Sequence, residues 1–524
     1  MTEGSEGAYS ESDALRREVE GLTADRDKWR EEAGRLQTDL EMWRTEARHW
    51  RAETDRLVEA QQRRLGWRLR RAGVRWARRI WRALPVAVRN RLRPIVFRSA
   101  ARRPVIGPEV PQERGPLPPA PSPVRRRNRT AHPRQAIDIP VSVVVPTFNA
   151  ASDAPLFLAA LERQVGIPEL ELVVVDSGST DGTRERFAAA ADVMLDIPAG
   201  EFGHGRTRNQ AVAASSGDVV VMMVQDALLL GPHALHDLVD ELLSDDGLAA
   251  VSARQVPRSD ADLFGAYNVV SHYHHIWRDG TRAKRSDPLR RRAAASVDDV
   301  CAAVRRSAWE EIQYRDIEFG EDLDFGLRAL EAGWTIGLTD DTAVAHSHTR
   351  DALYHFRRSV ADRFNVASLI GENQVRRSAT AGDVAEVAAA GRALLGDVAA
   401  TLALTGDSLE RLSLQLHRVA ERVVSPVTTM EPSGGQLGLF AAFLTELANG
   451  AQAGPAGRPL RTEFAGFLES HLLVEFAAAQ RGTSPDAVAD FIAKLAATVI
   501  GQSVGDSLRV YESSGDRERL LVGV

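Results

Sequence analysis

Cysteine is nearly absent from this chain of 524 residues, which contains only Cys301. A single cysteine excludes a disulfide framework and a cysteine-based zinc site, and it fits the reducing cytosol. Apolar runs of about 18 residues are also missing, so no transmembrane helix is expected. The first residues are polar and acidic, unlike a secretory signal. Length and composition therefore predict a cytosolic protein with two or three folded parts.

Acidic residues are missing from one stretch. No Asp or Glu occurs from Ala60 to Pro108, although the whole chain has 72 of them and a net charge of −6. Arginine recurs there beside a helical stripe of Leu, Trp and Ile. We predict that residues 63–103 are a basic amphipathic segment lying on an anionic membrane surface, at the inner face of the cell membrane. Packing on the rest of the chain and nucleic-acid binding are the alternatives, and because only charge favours the latter, no nucleic-acid partner is expected.

A heptad repeat precedes this basic segment. Leu or Trp recurs every seven residues from Leu15 to Leu57, with charged flanks. Residues 13–62 are predicted to form a coiled coil that joins copies of the chain into a homo-oligomer, the alternative being a long helix packed on its own protein. Residues 104–136 are rich in proline and arginine without periodicity, which predicts an extended linker.

Residues 137–372 alternate between strand-like and helix-like segments. Strands are predicted at 141–145, 171–175, 219–224 and 248–253, and helices at 153–164, 183–190, 206–215, 232–244 and 322–332. This alternation predicts an α/β domain with a mostly parallel sheet and helices on both faces. Residues 373–524 carry apolar residues at helical spacing and are predicted to form an α-helical C-terminal domain.

Polar turns follow the first two predicted strands. The run Val-Ser-Val-Val-Val-Pro-Thr-Phe ends before Asn149, and Leu-Val-Val-Val-Asp-Ser-Gly passes through Asp176. Ligands of open α/β sheets bind beyond the carboxyl ends of the strands. Thr147, Asn149, Asp176 and Ser177 are therefore expected to line one crevice.

Two further groups suit a diphosphate. The loop Phe-Gly-His-Gly-Arg-Thr-Arg-Asn offers Arg206 and Arg208 as forks for phosphate oxygens, although it is also typical of a surface loop with structural glycines. Asp226 follows the apolar strand at 219–224, where a divalent cation bridging a diphosphate could lie, although Asp is also a common helix cap.

Two more groups suit catalysis and metal binding. Glu321, Asp322 and Asp324 crowd a helix start, where the dipole favours anions. Capping accounts for one of them, and three together indicate that one is held for acid–base work. His346 and His348 stand two apart, which places both on one side of a strand and suits metal ligation, although such a pair alone is more often structural.

Taken in order, these motifs resemble the inverting GT-A-fold glycosyltransferases of family 2. The matching features are Val-Pro-Thr-Phe-Asn, Val-Asp-Ser-Gly-Ser-Thr-Asp-Gly-Thr, the acidic strand end, the Glu-Asp helix start and the later His. The Phe-Gly-His-Gly-Arg-Thr-Arg-Asn loop, Gln-Asp-Ala and His-Ser-His are similar, more narrowly, to bacterial rhamnosyltransferases of polysaccharide assembly.

The resemblance implies a GT-A domain whose donor is a nucleotide sugar, expected to be dTDP-rhamnose. The residues implied to bind the donor are Pro146, Thr147, Asn149, Asp176, Ser177, Arg206, Arg208, Asn209 and Gln225. It implies Asp322, with Glu321 beside it, as the general base. It also implies Mg²⁺ or Mn²⁺ held by Asp226 and His346, with His348 in reserve, although the family has Asp-x-Asp where this chain has one Asp.

The acceptor is expected to be a cell-surface glycan or lipid-linked glycan. A UDP-hexose or UDP-galactofuranose donor is one alternative, because sugar selection lies in loops such as 254–300. The aromatic residues of that loop, Tyr267 and Tyr273 among them, could form a sugar platform or simply pack. A non-catalytic scaffold built on the coiled coil is the other alternative.

Overall fold

The structure is a computed structural model that describes residues 124–125, 134–282, 288–370, 383–405, 412–426, 430–480, 483–511 and 520. The predicted coiled coil, the basic segment and most of the predicted linker lie outside these residues. Within that linker, Val124–Arg125 forms a short strand parallel to Leu338–Thr339. The described chain therefore reaches the sheet before residue 137.

Nine described strands form one mixed sheet. They are β1 (Val124–Arg125), β2 (Val141–Thr147), β3 (Leu170–Asp176), β4 (Val193–Asp196), β5 (Val219–Met223), β6 (Leu228–Leu229), β7 (Leu248–Val256), β8 (Cys301–Arg305) and β9 (Thr335–Ala345). Their order is β1-β9-β7-β8-β5-β2-β3-β4, with β6 paired to β9. Only β8, against β5 and β7, and β6, against β9, run antiparallel among these strands. The prediction of a mostly parallel sheet is confirmed.

The valine-rich strands are continuous apolar runs because both faces of the sheet are covered. In β2, Val143 and Val145 face one core and Val144 faces the other. β2 also lies where the strand order reverses, since β3 follows on one side of it and β5 on the other. At such a reversal the loops beyond the strand ends diverge and leave a crevice for a ligand.

Nine described helices belong to the α/β part of the chain. They are α1 (Ala154–Glu162), α2 (Thr183–Ala188), α3 (His204–Ala214), α4 (Ala234–Leu243), α5 (Leu263–Arg282), α6 (Pro288–Ala295), α7 (Arg306–Ile312), α8 (Glu321–Glu331) and α9 (Ala352–Ile370). Phe157 and Leu235 pack on one face of the sheet, and Trp309 and Phe325 on the other. The helices predicted from the sequence appear here as α1 to α4 and α8.

The described C-terminal part is helical, as predicted. Its helices are α10 (Val384–Thr405), α11 (Leu412–Val424), α12 (Gly435–Ala448), α13 (Gly457–Leu468), α14 (His471–Ala479) and α15 (Pro485–Tyr511). α9 lies along α15, where a Cβ on Gly501 would stand 2.5 Å from the Phe356 carbonyl oxygen. Phe264 and Tyr267 of α5 are buried in the same core. This core therefore includes two helices that precede the predicted boundary at residue 372.

Two described helices are long and apolar enough to cross a membrane, over Val384–Leu404 and Pro485–Arg509. In their most apolar windows, 61% and 72% of the helix is buried inside the protein. Their buried charges are paired within it: Asp397 with Arg461 at 2.8 Å and Lys494 with Asp262 at 2.6 Å. Core helices of a helical domain show the same length and composition, so these features are weak support for a membrane span.

Candidate active site

Asp176 ends β3 and organises the turn after it. Its buried carboxylate accepts hydrogen bonds from Thr147 Oγ1 at 3.0 Å, from Ser179 Oγ at 2.6 Å and from the Ser179 backbone N–H at 2.9 Å. Ser177 Oγ donates to the Thr147 carbonyl at 3.0 Å. Pro146 lies in β2 next to Thr147. These residues meet at one sheet edge, where the Asp176 carboxylate is engaged in shaping the turn.

Asn149 and Gln225 tie the neighbouring loops together. Asn149, with φ of 46°, accepts from the Thr180 backbone N–H at 3.0 Å, and its own N–H donates to Ser179 Oγ at 2.9 Å. The Gln225 amide bonds the Phe148 backbone in both directions, at 2.8 and 3.0 Å. The Phe148 side chain stays 50% exposed. The loops after β2, β3 and β5 thus form one continuous rim around the crevice.

Arg208 is buried in an ion network. Its Nε lies 3.1 Å from Asp299 Oδ2, and its Nη1 donates to Glu321. The Tyr314 hydroxyl donates to the other Asp299 oxygen at 3.0 Å. Burial opposes the charge on Arg208, but Asp299 and Glu321 outweigh it and raise the pKa of Arg208 above its ordinary value. The sequence suggested a diphosphate partner for Arg208, whereas its side chain here anchors the start of α8.

Arg206 and Asn209 have different surroundings. Arg206 is exposed, with its Nε 3.7 Å from Asp316. Asn209 accepts from Trp309 Nε1 at 2.9 Å and from the Tyr314 N–H at 3.0 Å, and its amide donates to the Tyr314 carbonyl at 2.8 Å. Residues two apart on a helix point to nearly opposite sides. Arg206 is consequently the residue of this loop that is open to a phosphate, while Asn209 holds the segment after α7.

Three carboxylates begin α8. Glu321 is taken by Arg208, and Asp324 by Arg328 at 2.7 Å. Asp322 is half-buried and accepts from the Leu323 backbone N–H at 2.7 Å, and it has no ion-pair partner in the part of the chain that the structure describes. Burial, then the charges of Glu321 and Asp299, raise the pKa of Asp322 to about 8, against the opposing effect of Arg208. The pKa of Asp322 is thus raised from the ordinary carboxyl range towards neutral pH, as suits a general base.

A separate cluster joins the ends of β5 and β9. β6 pairs with the last residues of β9, with Leu228 opposite Ala345, so the residues beside them approach one another. His346 Nε2 lies 3.6 Å from one oxygen of Asp226, and His348 Nδ1 lies 3.6 Å from the other. One ligand atom from each residue lies within 4.8 Å of the others. His346, the metal ligand predicted first, and His348, the predicted substitute, therefore both face Asp226.

This cluster has the chemistry of a divalent-cation site. Burial lowers the pKa of His346, and burial followed by the charge of His346 lowers the pKa of His348 to about 4. Both imidazoles are therefore neutral at neutral pH, as metal ligands must be. Ligand atoms sit about 2.0–2.2 Å from a small divalent ion, so atoms 3.6 Å apart can share one. Two imidazoles and a carboxylate leave open positions for other ligands.

A cleft opens beside the cluster, and one of its lining residues is Arg258, a cationic side chain that was not predicted from the sequence. Gln225, Asp226 and Arg258 line it together with α1. Arg258 Nη1 lies 3.2 Å from Asp153 Oδ1 and donates to the Asp226 carbonyl at 3.3 Å. Arg258 follows β7, so the rule that ligands bind beyond strand ends could have found it.

Asp298 and Asp299 also lie near the site, and neither belongs to a motif that the sequence analysis identified. Asp298 and Asp299 precede β8, whose amino end reaches the site edge because this strand runs antiparallel to β5. Tyr273 donates to Asp298 at 2.6 Å, whereas Tyr267 packs against Phe476 in the helical core. The proposed aromatic platform of the 254–300 loop is therefore divided between two places.

The chain is similar in sequence to known glycosyltransferases. Residues 142–313 match the family described as Glycosyl transferase family 2. The O-antigen chain rhamnosyltransferase RfbN of Salmonella typhimurium is 29% identical over 222 residues, which is 42% of this chain and 69% of the relative. WbaN of Salmonella anatum, also an O-antigen chain rhamnosyltransferase, is 30% identical over 225 residues, 41% of this chain and 69% of the relative.

One solved structure similar to this chain is the mannosyltransferase PcManGT from Pyrobaculum calidifontis in complex with GDP-Man and Mn²⁺. It aligns at 21% identity with a TM-score of 0.35, covering 70% of this chain and 89% of the mannosyltransferase.

Proposed function

Because the chain belongs to glycosyl transferase family 2, we propose that it is an inverting glycosyltransferase that moves L-rhamnose from dTDP-rhamnose onto a lipid-linked polysaccharide acceptor. The observation that carries the proposal is Asp322 at the start of α8, which has no ion-pair partner among the described residues, in the same fold as the cluster of Asp226, His346 and His348. The identity of about 30% with two rhamnosyltransferases supports rhamnose as the sugar.

Asp322 serves as the general base. An acceptor hydroxyl attacks the anomeric carbon from the face opposite the nucleotide, and its proton passes to an Asp322 oxygen. The new carbon–oxygen bond forms as the bond to the phosphate oxygen breaks, and the electron pair leaves with dTDP. The configuration at the anomeric carbon inverts. Glu321 is held by Arg208, so its role is to position α8 rather than to take the proton.

The departing diphosphate belongs at the other cluster. Asp226, His346 and His348 would hold Mg²⁺ or Mn²⁺, with Mn²⁺ the better match to two imidazole nitrogens because Mg²⁺ prefers all-oxygen sites. A cation bound there would supply positive charge against the negative charge that develops on the diphosphate. Arg258 beside Asp226, and Arg206 on the surface, offer further positive charge to phosphate oxygens. The rim formed by Asn149, Asp176 and Gln225 shapes the nucleoside end of the crevice.

The donor is tested with a panel of nucleotide sugars and the full chain. A ligand that binds only the folded protein raises its melting temperature. With Mn²⁺ present, dTDP-rhamnose is expected to stabilise the protein more than UDP-galactose, UDP-galactofuranose or UDP-N-acetylglucosamine, and to be consumed when a glycan acceptor is added. Stabilisation and turnover by a UDP-sugar alone would replace rhamnose with the UDP-sugar alternative.

The N-terminal segments complete the proposal. Residues 13–62 join copies of the protein, and residues 63–103 hold it at the inner membrane face, where a lipid-linked acceptor is presented. Binding of the full chain to liposomes is expected to increase with their content of anionic lipid. Deletion of residues 63–103 is expected to abolish this binding. Equal binding of both proteins would contradict the membrane assignment and leave the transfer chemistry untouched.

A further inference from the structure

His346 is held by a chain of hydrogen bonds that leads away from the candidate cation site. Its Nδ1 lies 2.7 Å from Gln255 Oε1. The other end of that amide, Gln255 Nε2, donates to Asp298 Oδ2 at 2.5 Å. The Tyr273 hydroxyl donates to the same Asp298 oxygen at 2.6 Å. Asp298 is itself fixed between strands, since its backbone N–H donates to Ser252 Oγ at 2.8 Å.

The direction of every bond in this chain follows from Asp298. Asp298 Oδ2 accepts hydrogen bonds from both the Tyr273 hydroxyl and Gln255 Nε2, so the NH₂ group of Gln255 faces Asp298. Its carbonyl oxygen then faces His346 and also only accepts. The proton on the His346 ring must therefore be on Nδ1, which leaves the lone pair on Nε2. That nitrogen is the one 3.6 Å from Asp226.

We propose that Asp298 and Gln255 are positioning residues that lock His346 in the tautomer whose Nε2 can bind the cation. The inference rests on the cation site of the proposed function, and it goes beyond that function by naming groups that touch neither cation nor donor. The lock matters because a neutral imidazole has two tautomers, and the tautomer with a proton on Nε2 cannot ligate through that atom. Burial and the charge of Asp298 keep the pKa of Tyr273 well above its ordinary value, so its hydroxyl remains a donor.

His348 lacks an equivalent lock. Its Nδ1 faces Asp226, its side chain is 38% exposed, and no hydrogen bond to its Nε2 is found within the described residues. Metal-ligating histidines with a fixed outer partner are already oriented for the ion, and loss of such a partner typically lowers metal affinity about 10- to 100-fold. His346 is therefore the anchoring ligand, and His348 adjusts to a bound ion.

The test compares the full chain with two variants and one control. Asp298→Asn supplies an amide that can donate to Gln255, which allows the Gln255 amide to turn and the tautomer to change. Gln255→Leu removes the acceptor altogether and serves if Asp298→Asn folds poorly. Asp262→Asn is the control, because Asp262 is a partly buried aspartate whose carboxylate is bound to Lys494 at 2.6 Å and not to His346, Gln255 or Asp298.

Two measurements are made on each protein. Mn²⁺ titration followed by electron paramagnetic resonance is expected to give a Kd about 10- to 100-fold higher for Asp298→Asn and Gln255→Leu than for the wild type, and an unchanged Kd for Asp262→Asn. Ring ¹⁵N chemical shifts of cation-free, histidine-labelled protein, assigned with His346→Gln, are expected to show a protonated Nδ1 in the wild type and loss of that state in both variants.

The tautomer of His346 and the sugar-transfer activity can fail independently of each other in these measurements. An unprotonated Nδ1 on wild-type His346, or Mn²⁺ affinities equal in all four proteins, would overturn the tautomer lock even if the protein transfers sugar. Absence of sugar transfer with any donor, alongside the expected Mn²⁺ and ¹⁵N results, would count against the proposed function and leave the lock in place.

Discussion

Replacing Asp322 with asparagine tests the central assignment, because the amide keeps the shape of the side chain and removes its ability to accept a proton. General base catalysis contributes about 10²- to 10⁴-fold. The neighbouring carboxylates cannot take over, since Arg208 holds Glu321 and Arg328 holds Asp324. We expect kcat to fall by about 10²- to 10⁴-fold. The wild-type rate itself is expected to fall as pH drops through about 8, where Asp322 becomes protonated.

The same substitution has a consequence for stability. The pKa of Asp322 is raised to about 8 in the folded protein, first by burial and then by Glu321 and Asp299, against an ordinary value of 3.8. Between these pH values the folded state keeps a proton that the unfolded state has lost, so wild-type stability declines as pH rises through this window. A pKa that differs by one between the folded and unfolded states corresponds to about 1.4 kcal/mol. Because neighbouring carboxyls share the titration, we expect a total on the order of a few kcal/mol.

The assay combines both consequences. Initial rates of sugar transfer give kcat, and binding of dTDP with Mn²⁺ checks that the donor site is intact. Urea unfolding at pH 5, 7 and 9 is expected to show Asp322→Asn gaining stability over the wild type as pH rises. Asp246→Asn, at a fully exposed aspartate, is the control and should show no such trend. A wild-type rate in Asp322→Asn, or a stability difference independent of pH, would refute the assignment.

Three further predictions concern the supporting structure. Arg208→Gln leaves two buried carboxylates without their cation and is expected to cost about 3–5 kcal/mol in urea unfolding, whereas the exposed Arg206→Gln costs about 0–1 kcal/mol; equal losses would contradict the buried network. Gly326→Ala places a Cβ 1.9 Å from the Ala295 carbonyl oxygen and is expected to cost about 1–3 kcal/mol. Gly466→Ala, in open space, should instead gain about 0.5–1 kcal/mol by the same measurement. Chelation of divalent ions is expected to stop sugar transfer, with Mn²⁺ restoring it better than Mg²⁺; full activity in excess chelator would contradict the metal site.

Much of the fold could be predicted because its signals are local. β2, β3 and β5 are buried on both faces, so their sequences are apolar before the polar turns that follow, apart from Ser142 and Glu171, which pair with each other. The helix start at Glu321 and the strand end at Asp226 are marked in the same way. β8 was not predicted, since a single antiparallel strand in an otherwise alternating pattern leaves no periodic mark of its own.

The roles within the site depend on distant contacts. Arg206 and Arg208 look equivalent in the sequence, yet one is exposed and the other is buried between carboxylates that come from different elements. The predicted donor contacts of these residues, like the other site assignments, stay predictions until a donor is bound. What separates the two arginines is the direction of each side chain on α3 and the packing of α8 against it.

The amino-acid sequence by itself determined the family, the parallel core of the sheet and the strand ends where Asp176, Asp226 and His346 stand, because each depends on a short run of neighbouring residues. Only the tertiary structure decided which carboxylate of α8 has no ion-pair partner among the described residues, and which nitrogen of His346 meets Gln255 rather than Asp226. Those properties depend on hydrogen bonds and charges across the fold: Gln255 lies 91 positions from His346 and 43 from Asp298, and no local pattern records such a pairing.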